Sequence, residues 1–249
     1  PATQAKLATL RARGVTVVGP EHGLMACNES GPGRLAEPDA ILAAILHQLD
    51  GEKPLADYTA LVTAGPTHEP IDPVRYLANR SSGTQGYAIA TALAQAGAAV
   101  TLVSGPTTLP DPPGVTTIRV ETAREMLDAC QHALPCDIAI CAAAVADWYV
   151  APNPQKIKKT AGSAPPVLDL APNPDILATI SQPSPRRPCL VIGFAAETEN
   201  VLAHATAKRL RKGCDWMVAN DVSPATGIMG GTENEVIVID DTGCTHWPR

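Results

Sequence analysis

The chain has 249 residues, of which 45% are apolar and 18% charged, and its net charge is -6. That is enough apolar chain for one large α/β domain, or one domain plus a fragment, and it excludes a disordered chain. The acidic balance gives no general attraction for nucleic acid or an anionic membrane, so any anion must be held by local geometry.

In chain order, "PATQAKLATLRARG" (1–14) reads as a proline-started helix ending at Gly14. A strand "VTVVG" (15–19), a long loop (20–38) and a helix "DAILAAILHQL" (39–49) follow. These pieces are too few to enclose a core, and residues 51–58, "GEKPLADY", read as a polar linker. The longest near-apolar run, "IAICAAAVADWYVA", is interrupted by Asp147 and too short to span a bilayer. No signal-peptide pattern opens the chain. Seven cysteines without a CxxC pair or metal-ligand spacing read as reduced thiols of a cytoplasmic protein.

After the linker the pattern is regular. Strand 59–65 "TALVTAG" leads through a loop of nearly twenty residues to helix 86–97 "GYAIATALAQAG" and strand 98–105 "AAVTLVSG". Strand 116–121, helix 122–134 and a strand 136–148 "CDIAICAAAVADW" come next. Helix 174–182, strand 189–198, helix 200–213, strand 214–222 and a last strand 234–240 complete it. Apolar strands alternating with helices predict a doubly wound, mostly parallel sheet with helices on both faces. Ligands in such sheets sit beyond the carboxyl ends of the strands. There the sequence collects "AGPTHEPIDPVRYLANRSSG", "AAAVADWYVAPNPQKIKK", "GFAAETEN" and "ANDVS", four loops expected to converge on one crevice.

Ser81, Ser82 and Gly83 stand where a helix begins, and small residues there let a phosphate approach its unpaired N–H groups. They serve equally as ordinary cap residues. The length of the preceding loop favours function. The lysines of "KIKK" (Lys156, Lys158, Lys159) read as a solvated charge cluster or as partners of a metal-bound triphosphate, with Asp147 near them as the metal carboxylate. Asp147 is also an acceptable loop or cap carboxylate. Phe194, the one phenylalanine in the chain, suits a buried core ring.

Together "TAGPTHEPIDPVRYLANRSSGTQGYAIA", "AAAVADW", "KIKK" and "GFAAET" closely resemble phosphopantothenoylcysteine synthetase, the ligase half of the bifunctional coenzyme A biosynthesis protein. The similarity runs from about 59 to 247. "PATQ" and "ACNESGPGRLAEP" resemble the end of the decarboxylase half that precedes it. The resemblance implies a Rossmann-like ligase domain (59–249) behind a partial flavodoxin-like fragment (1–50). It implies CTP and Mg²⁺ activating the carboxylate of 4'-phosphopantothenate as an acyl-cytidylate, from which the L-cysteine amine displaces CMP. The family's functional asparagine falls on Asn79 and its lysine motif on Lys156, Lys158 and Lys159, with Lys158 the critical one. Asn79, Lys158 and Arg75 are the catalytic candidates. Ser81, Ser82, Gly83, Ala143, Ala144, Asp147, the three lysines and Phe194 are expected at the nucleotide, with Asp147 also on the metal.

In the decarboxylase family the cysteine matched by Cys27 acts as an acid beside FMN. FMN and that role are therefore expected only of a full-length chain. A homodimer through the ligase domain is implied as well. Three departures stand out: Thr84 replaces the lysine of the family's "SSGK", Asn28 and Leu35 alter the cysteine motif, and the family's C-terminal helix would follow "HWPR". A nicotinamide oxidoreductase would need a short glycine fingerprint and an acidic residue where this chain has "VSGPTT". A non-catalytic nucleotide-binding module would have no use for Asn79 together with the lysine loop.

Overall fold

The computed structural model describes residues 2–24, 30–50, 53–158, 164–223, 226 and 234–248. The chain forms two compact units that divide between Lys53 and Pro54.

The first unit begins with α1 (Ala2–Ala12), closed by Gly14 in the left-handed region, where the Val15 N–H donates to the Leu10 carbonyl at 3.1 Å. A hairpin follows, β1 (Glu21–Leu24) antiparallel to β2 (Ser30–Arg34), and then α2 (Pro38–Asp50). The expected strand 15–19 is not formed. Val15 and Val18 are exposed, and among the described residues no strand pairs with that segment, so its apolar character has no ladder to join. The hairpin arises instead inside the expected loop. Cys27 and Asn28 lie outside the described residues.

In the second unit the chain runs through β3 (Thr59–Ala64), β4 (His68–Asp72), β5 (Arg75–Ala78), α3 (Thr84–Gln95), β6 (Ala99–Ser104) and β7 (Val115–Arg119). It continues with α4 (Ala123–Ala133), β8 (Ile138–Cys141), β9 (Trp148–Tyr149), β10 (Ala171–Pro172) and α5 (Ile176–Ser181). The last elements are β11 (Leu190–Glu197), α6 (Val201–Lys212), β12 (Trp216–Asp221), β13 (Val236–Ile239) and β14 (Cys244–Trp247). The eight-stranded sheet has the order β14-β13-β12-β11-β8-β3-β6-β7. The six strands from β7 to β12 are parallel, and β13 and β14 extend them antiparallel. Counted along the chain, the parallel strands lie 3-2-1-4-5-6, the doubly wound order of dinucleotide-binding sheets, so the topology switches between β3 and β8.

Strand alternation builds a core on each face. Leu61, Val103, Ala139, Val191 and Met217 meet the buried residues of α4, α5 and α6 on one face, such as Met126, Ile180 and Ala205. Ala60, Val62, Leu102 and Ile140 meet Tyr87 and Ala90 of α3 on the other. Leu55, from the expected linker, packs against this second core, and its N–H donates to the Ala96 carbonyl at 3.0 Å.

Two local expectations are corrected. The long loop after β3 contains the β4–β5 hairpin, with His68 paired to Ala78. The expected strand 136–148 is regular only over β8; beyond it the Ala142 and Ala144 amides still bond backbone carbonyls, of Thr63 and Gly65, but two others go to buried threonine hydroxyls. Thr63 Oγ1 accepts from the Ala143 N–H at 3.2 Å and Thr67 Oγ1 from that of Ala146 at 3.0 Å. The segment 142–147 is thus pinned as an irregular turn over the carboxyl end of β3.

A candidate nucleotide and acyl-transfer site

A cleft of about 860 Å³ opens at the switch point. Its first wall is the entrance to α3, where the N-cap residue is Gly83 at φ 79°, which has no side chain to cap the helix. A Cβ at Gly83 would stand 2.8 Å from Thr107 Cγ2 and 3.3 Å from the Gly65 Cα, so both its conformation and its packing call for glycine. The Gly83 and Thr84 N–H groups donate to Ser81 Oγ and Ser82 Oγ at 3.2 and 3.4 Å. Ser82 Oγ and Thr84 Oγ1 share a hydrogen bond of 2.9 Å. Small residues and hydroxyls therefore curl around the positive end of a helix dipole.

The second wall is the 142–147 turn. Ala143 and Ala144 line it, and Asp147 stands exposed at its end. Asn79 joins the two walls, its Nδ2 donating to the Val145 carbonyl at 2.9 Å. One amide proton and the side-chain oxygen of Asn79 are left over for other partners. Phe194 lines the cleft from β11.

Asn79, Ser81, Ser82 and Gly83 thus come together with Ala143, Ala144, Asp147 and Phe194, as the sequence suggested. The structure does not bring Arg75, Lys156 or Lys158 to this cleft. Lys156 and Lys158 are exposed, and Lys159 lies outside the described residues. Arg75 donates from Nε and Nη2 to Asp72 Oδ2, at 3.0 and 2.5 Å, and from Nη2 to the Ile157 carbonyl at 2.8 Å.

Sequence reasoning missed the cations of α6. Lys208, Arg211 and Lys212 all line the cleft, and their i, i+3, i+4 spacing puts them on one helix face. That spacing was the available signal, but basic residues in a last helical turn also simply complement the helix dipole. Lys208 Nζ donates to the Phe194 carbonyl at 2.9 Å. Burial lowers the Lys208 pKa, partly offset by the carboxylate of Glu197. Lys212 pairs with Asp175, the N-cap of α5, whose side chain accepts from the Ala178 N–H at 3.0 Å. Burial pushes the Asp175 carboxyl up, but Lys212 and the Ala178 amide outweigh it and hold the pKa below the ordinary value. Asn173, also on the cleft, donates from Nδ2 to the Ala146 carbonyl at 2.9 Å.

The ring of charges tests the expected metal. Among the described residues no group of three or more His, Cys, Asp or Glu side chains could hold an ion. Asp175 is committed to Lys212 and to its helix. Glu197, also on the cleft, lies 3.7 Å from His204 Nδ1. Asp147, the remaining carboxylate of the lining, is exposed, which suits a magnesium ion that takes most of its oxygen ligands from phosphates and water.

Outside the cleft, Arg75 and the amides of Val74 and Ile157 hold the Asp72 carboxyl at about 2. A carboxylate depressed in the folded state stabilises the fold above its unfolded pKa and loses that contribution as pH falls through the folded value. The melting temperature is therefore expected to fall less steeply between about pH 4 and pH 2 in Asp72→Asn than in the parent chain. Parallel acid limbs would contradict the assignment.

No helix among the described residues is long and apolar enough to cross a membrane. The coenzyme A biosynthesis bifunctional protein CoaBC of Vibrio vulnificus strain YJ016 is 45% identical over 250 residues, covering 100% of this chain and 60% of the relative. CoaBC of Escherichia coli K12 is 45% identical over 228 residues, covering 90% of this chain and 56% of the relative. The chain thus spans somewhat more than half the length of these relatives. A crystal structure of the C-terminal domain of CoaBC superimposes with a TM-score of 0.65 at 40% identity, covering 79% of this chain and 89% of that one. Residues 55–249 hold every strand of the large sheet and every wall of the cleft, and they match the DNA/pantothenate metabolism flavoprotein C-terminal domain, the family to which the chain belongs.

Proposed function

We propose that the chain is a phosphopantothenate–cysteine ligase of coenzyme A biosynthesis that activates its acid substrate with CTP. One observation carries the reading. A single switch-point cleft joins the glycine-capped entrance of α3 to Arg80 and the three cations of α6, to the exposed carboxylate of Asp147 and to the amide of Asn79. The resemblance of the cleft motifs to the ligase half, and the relatives' part in coenzyme A biosynthesis, supply the substrates.

In the first step the carboxylate of 4'-phosphopantothenate attacks the α-phosphorus of CTP, and pyrophosphate leaves. The amides at Ser81, Ser82 and Gly83 and the cations of α6 receive the phosphate oxygens, and the small Ala143 and Ala144 let the nucleotide lie against the 142–147 turn. Phe194 packs beside the base. Asp147 would hold Mg²⁺, which when bound neutralises charge on the leaving phosphates. In the second step the L-cysteine amine attacks the acyl carbon and CMP leaves. The spare Asn79 N–H is available to an oxygen that gains charge there. Lys156 and Lys158 do not line the cleft, so the part of the lysine loop in the chemistry, with Lys158 dominant over Lys156 and Lys159, rests on the resemblance alone. We assign FMN, and an acid role for Cys27, only to a longer chain with a complete decarboxylase half. The protein acts in the cytoplasm as a homodimer.

A thermal melt tests this directly. CTP with Mg²⁺ at about a hundred times its Kd is expected to add roughly 2.7 kcal/mol of stability, which for a chain of this size is a shift of about 5–10 °C. NADH is expected to give none. Equal shifts from both nucleotides, or no pyrophosphate on adding CTP and phosphopantothenate, would sink the ligase reading.

A further inference from the structure

We propose that Asp72 and Arg75 form a clasp that fixes the root of the lysine loop at Ile157, so that Arg75 is a positioning residue for Lys158. The activity arm of the proposal rests on the ligase reading; the structural arm does not.

The Asp72 side chain has no exposed surface, whereas that of Arg75 is 45% exposed. A buried carboxylate is tolerated only where donors surround it, and this one has four. Asp72 Oδ1 accepts from the Val74 N–H at 2.9 Å, while Oδ2 accepts from Arg75 Nε and Nη2 at 3.0 and 2.5 Å and from the Ile157 N–H at 3.1 Å. Arg75 Nη2 also donates to the Ile157 carbonyl at 2.8 Å. Both backbone polar groups of one loop residue are therefore held by side chains of the β4–β5 hairpin. Ile157 is half-buried between two exposed lysines, so its anchoring sets where Lys156 and Lys158 leave the surface. A second tie, from the Asn153 N–H to the Ile71 carbonyl at 2.9 Å, holds the loop to the same hairpin.

The hairpin also leads into the cleft. β5 ends at Ala78, and the next residue is Asn79, bonded to the 142–147 turn. The lysine loop and Asn79 are thus fastened to opposite ends of one short piece of sheet. A planar guanidinium making three contacts is a better fastener than an ammonium, which cannot span carboxylate and carbonyl in one plane.

The test uses hydrogen exchange on the full chain. In Asp72→Asn the new amide group turns a donor towards the Ile157 N–H, or else its acceptor loses Val74; in Arg75→Lys the link to the Ile157 carbonyl is lost. Both variants are expected to speed exchange of the Ile157 amide on the order of tenfold, the factor given by losing one charge-assisted hydrogen bond. Amides of β3 and β6 should exchange at the parent rate. In turnover, kcat is expected to fall with the KM for CTP unchanged. In a Lys158→Ala background Asp72→Asn should cost nothing more, because residues acting through one group are not additive.

Unchanged Ile157 exchange in both variants, or losses that multiply in the Lys158→Ala background, would overturn the proposal. Should Asp72→Asn fail to fold, Arg75→Lys alone decides, since its side chain is half in solvent. A parent chain that makes no product while Ile157 exchange still responds would refute the ligase reading and leave the clasp standing.

Discussion

Asn79→Ala is expected to release pyrophosphate from CTP and phosphopantothenate at close to the parent rate while forming product on the order of 10²–10³ times more slowly, the cost of losing one preorganised donor to a developing oxyanion. The activated acyl-cytidylate should accumulate in quenched samples. The division follows from geometry. Asn79 sits at the seam of the α3 entrance and the 142–147 turn, with one amide proton already given to the Val145 carbonyl and one still free. The amides proposed to receive the phosphates lie beyond it, at Ser81 to Gly83, so they survive the substitution. Asp147→Asn should behave in the opposite way, slowing pyrophosphate release itself by weakening the metal-triphosphate complex. Rapid-quench measurement of pyrophosphate, CMP and intermediate separates the two variants. Equal loss of pyrophosphate and product in Asn79→Ala would mean that its bond to Val145 shapes the cleft for both steps and that Asn79 serves no separate acyl-transfer role.

The parts of the molecule that could be read in advance are those where sequence pattern and burial coincide. β3, β6, β8 and β11 are apolar on both faces because helices cover both faces of a parallel sheet, and that pattern is visible without coordinates. The helices announce themselves similarly, α4 with a capping box of Thr122 and Glu125. The β4–β5 hairpin carried no such mark. Its strands contain Pro70 and the polar His68, Glu69, Asp72 and Arg75, and they are held by partners distant in sequence, such as the Glu121 carbonyl that accepts from the His68 N–H at 2.8 Å. Glu69 is buried because it caps a different helix, accepting from the Ala123 N–H at 2.9 Å.

Within the cleft, the small residues of the α3 entrance and of the 142–147 turn lie together because both segments stand at carboxyl ends of neighbouring parallel strands, a placement that the strand pattern implies. The α6 cations were not legible, since a basic helix end is ordinary on any solvated helix. Arg75 was expected among the catalytic residues, whereas the structure bonds it to Asp72 and Ile157 outside the cleft, partners of which the sequence carries no sign.

The 142–147 turn, one wall of the cleft, is tied to a tight backbone crossing between Pro66 and Gly105, and Gly105→Ala is expected to lower the melting temperature by roughly 10 °C or more, or to prevent folding. A Cβ at Gly105 would lie 1.7 Å from the Pro66 carbonyl oxygen and 2.8 Å from its carbonyl carbon. Those are backbone atoms, so no rotamer change relieves the contact. The two segments are interlocked, because the Gly105 N–H donates to the Ala64 carbonyl at 3.0 Å and Pro66 bridges to Ala144 on its other side. Moving Pro66 away from a new methyl group would drag the 142–147 turn with it. The cost then falls in the exceptional range of about 4 kcal/mol or more, and at roughly 2–4 °C per kcal/mol the expected shift follows. Gly114→Ala is the matched control. Gly114 has φ 75° but nothing within 4 Å of its Cβ position, so only backbone strain of about 1–2 kcal/mol applies. A folded Gly105→Ala chain should also lose most of its CTP-induced thermal shift, whereas Gly114→Ala should keep it. If the two variants melt together, the crossing at Pro66 is looser than this geometry requires, and the 142–147 turn is held by its other bonds, from the Ala142 and Ala144 N–H groups to the Thr63 and Gly65 carbonyls and from the Ala143 and Ala146 N–H groups to the Thr63 and Thr67 hydroxyls.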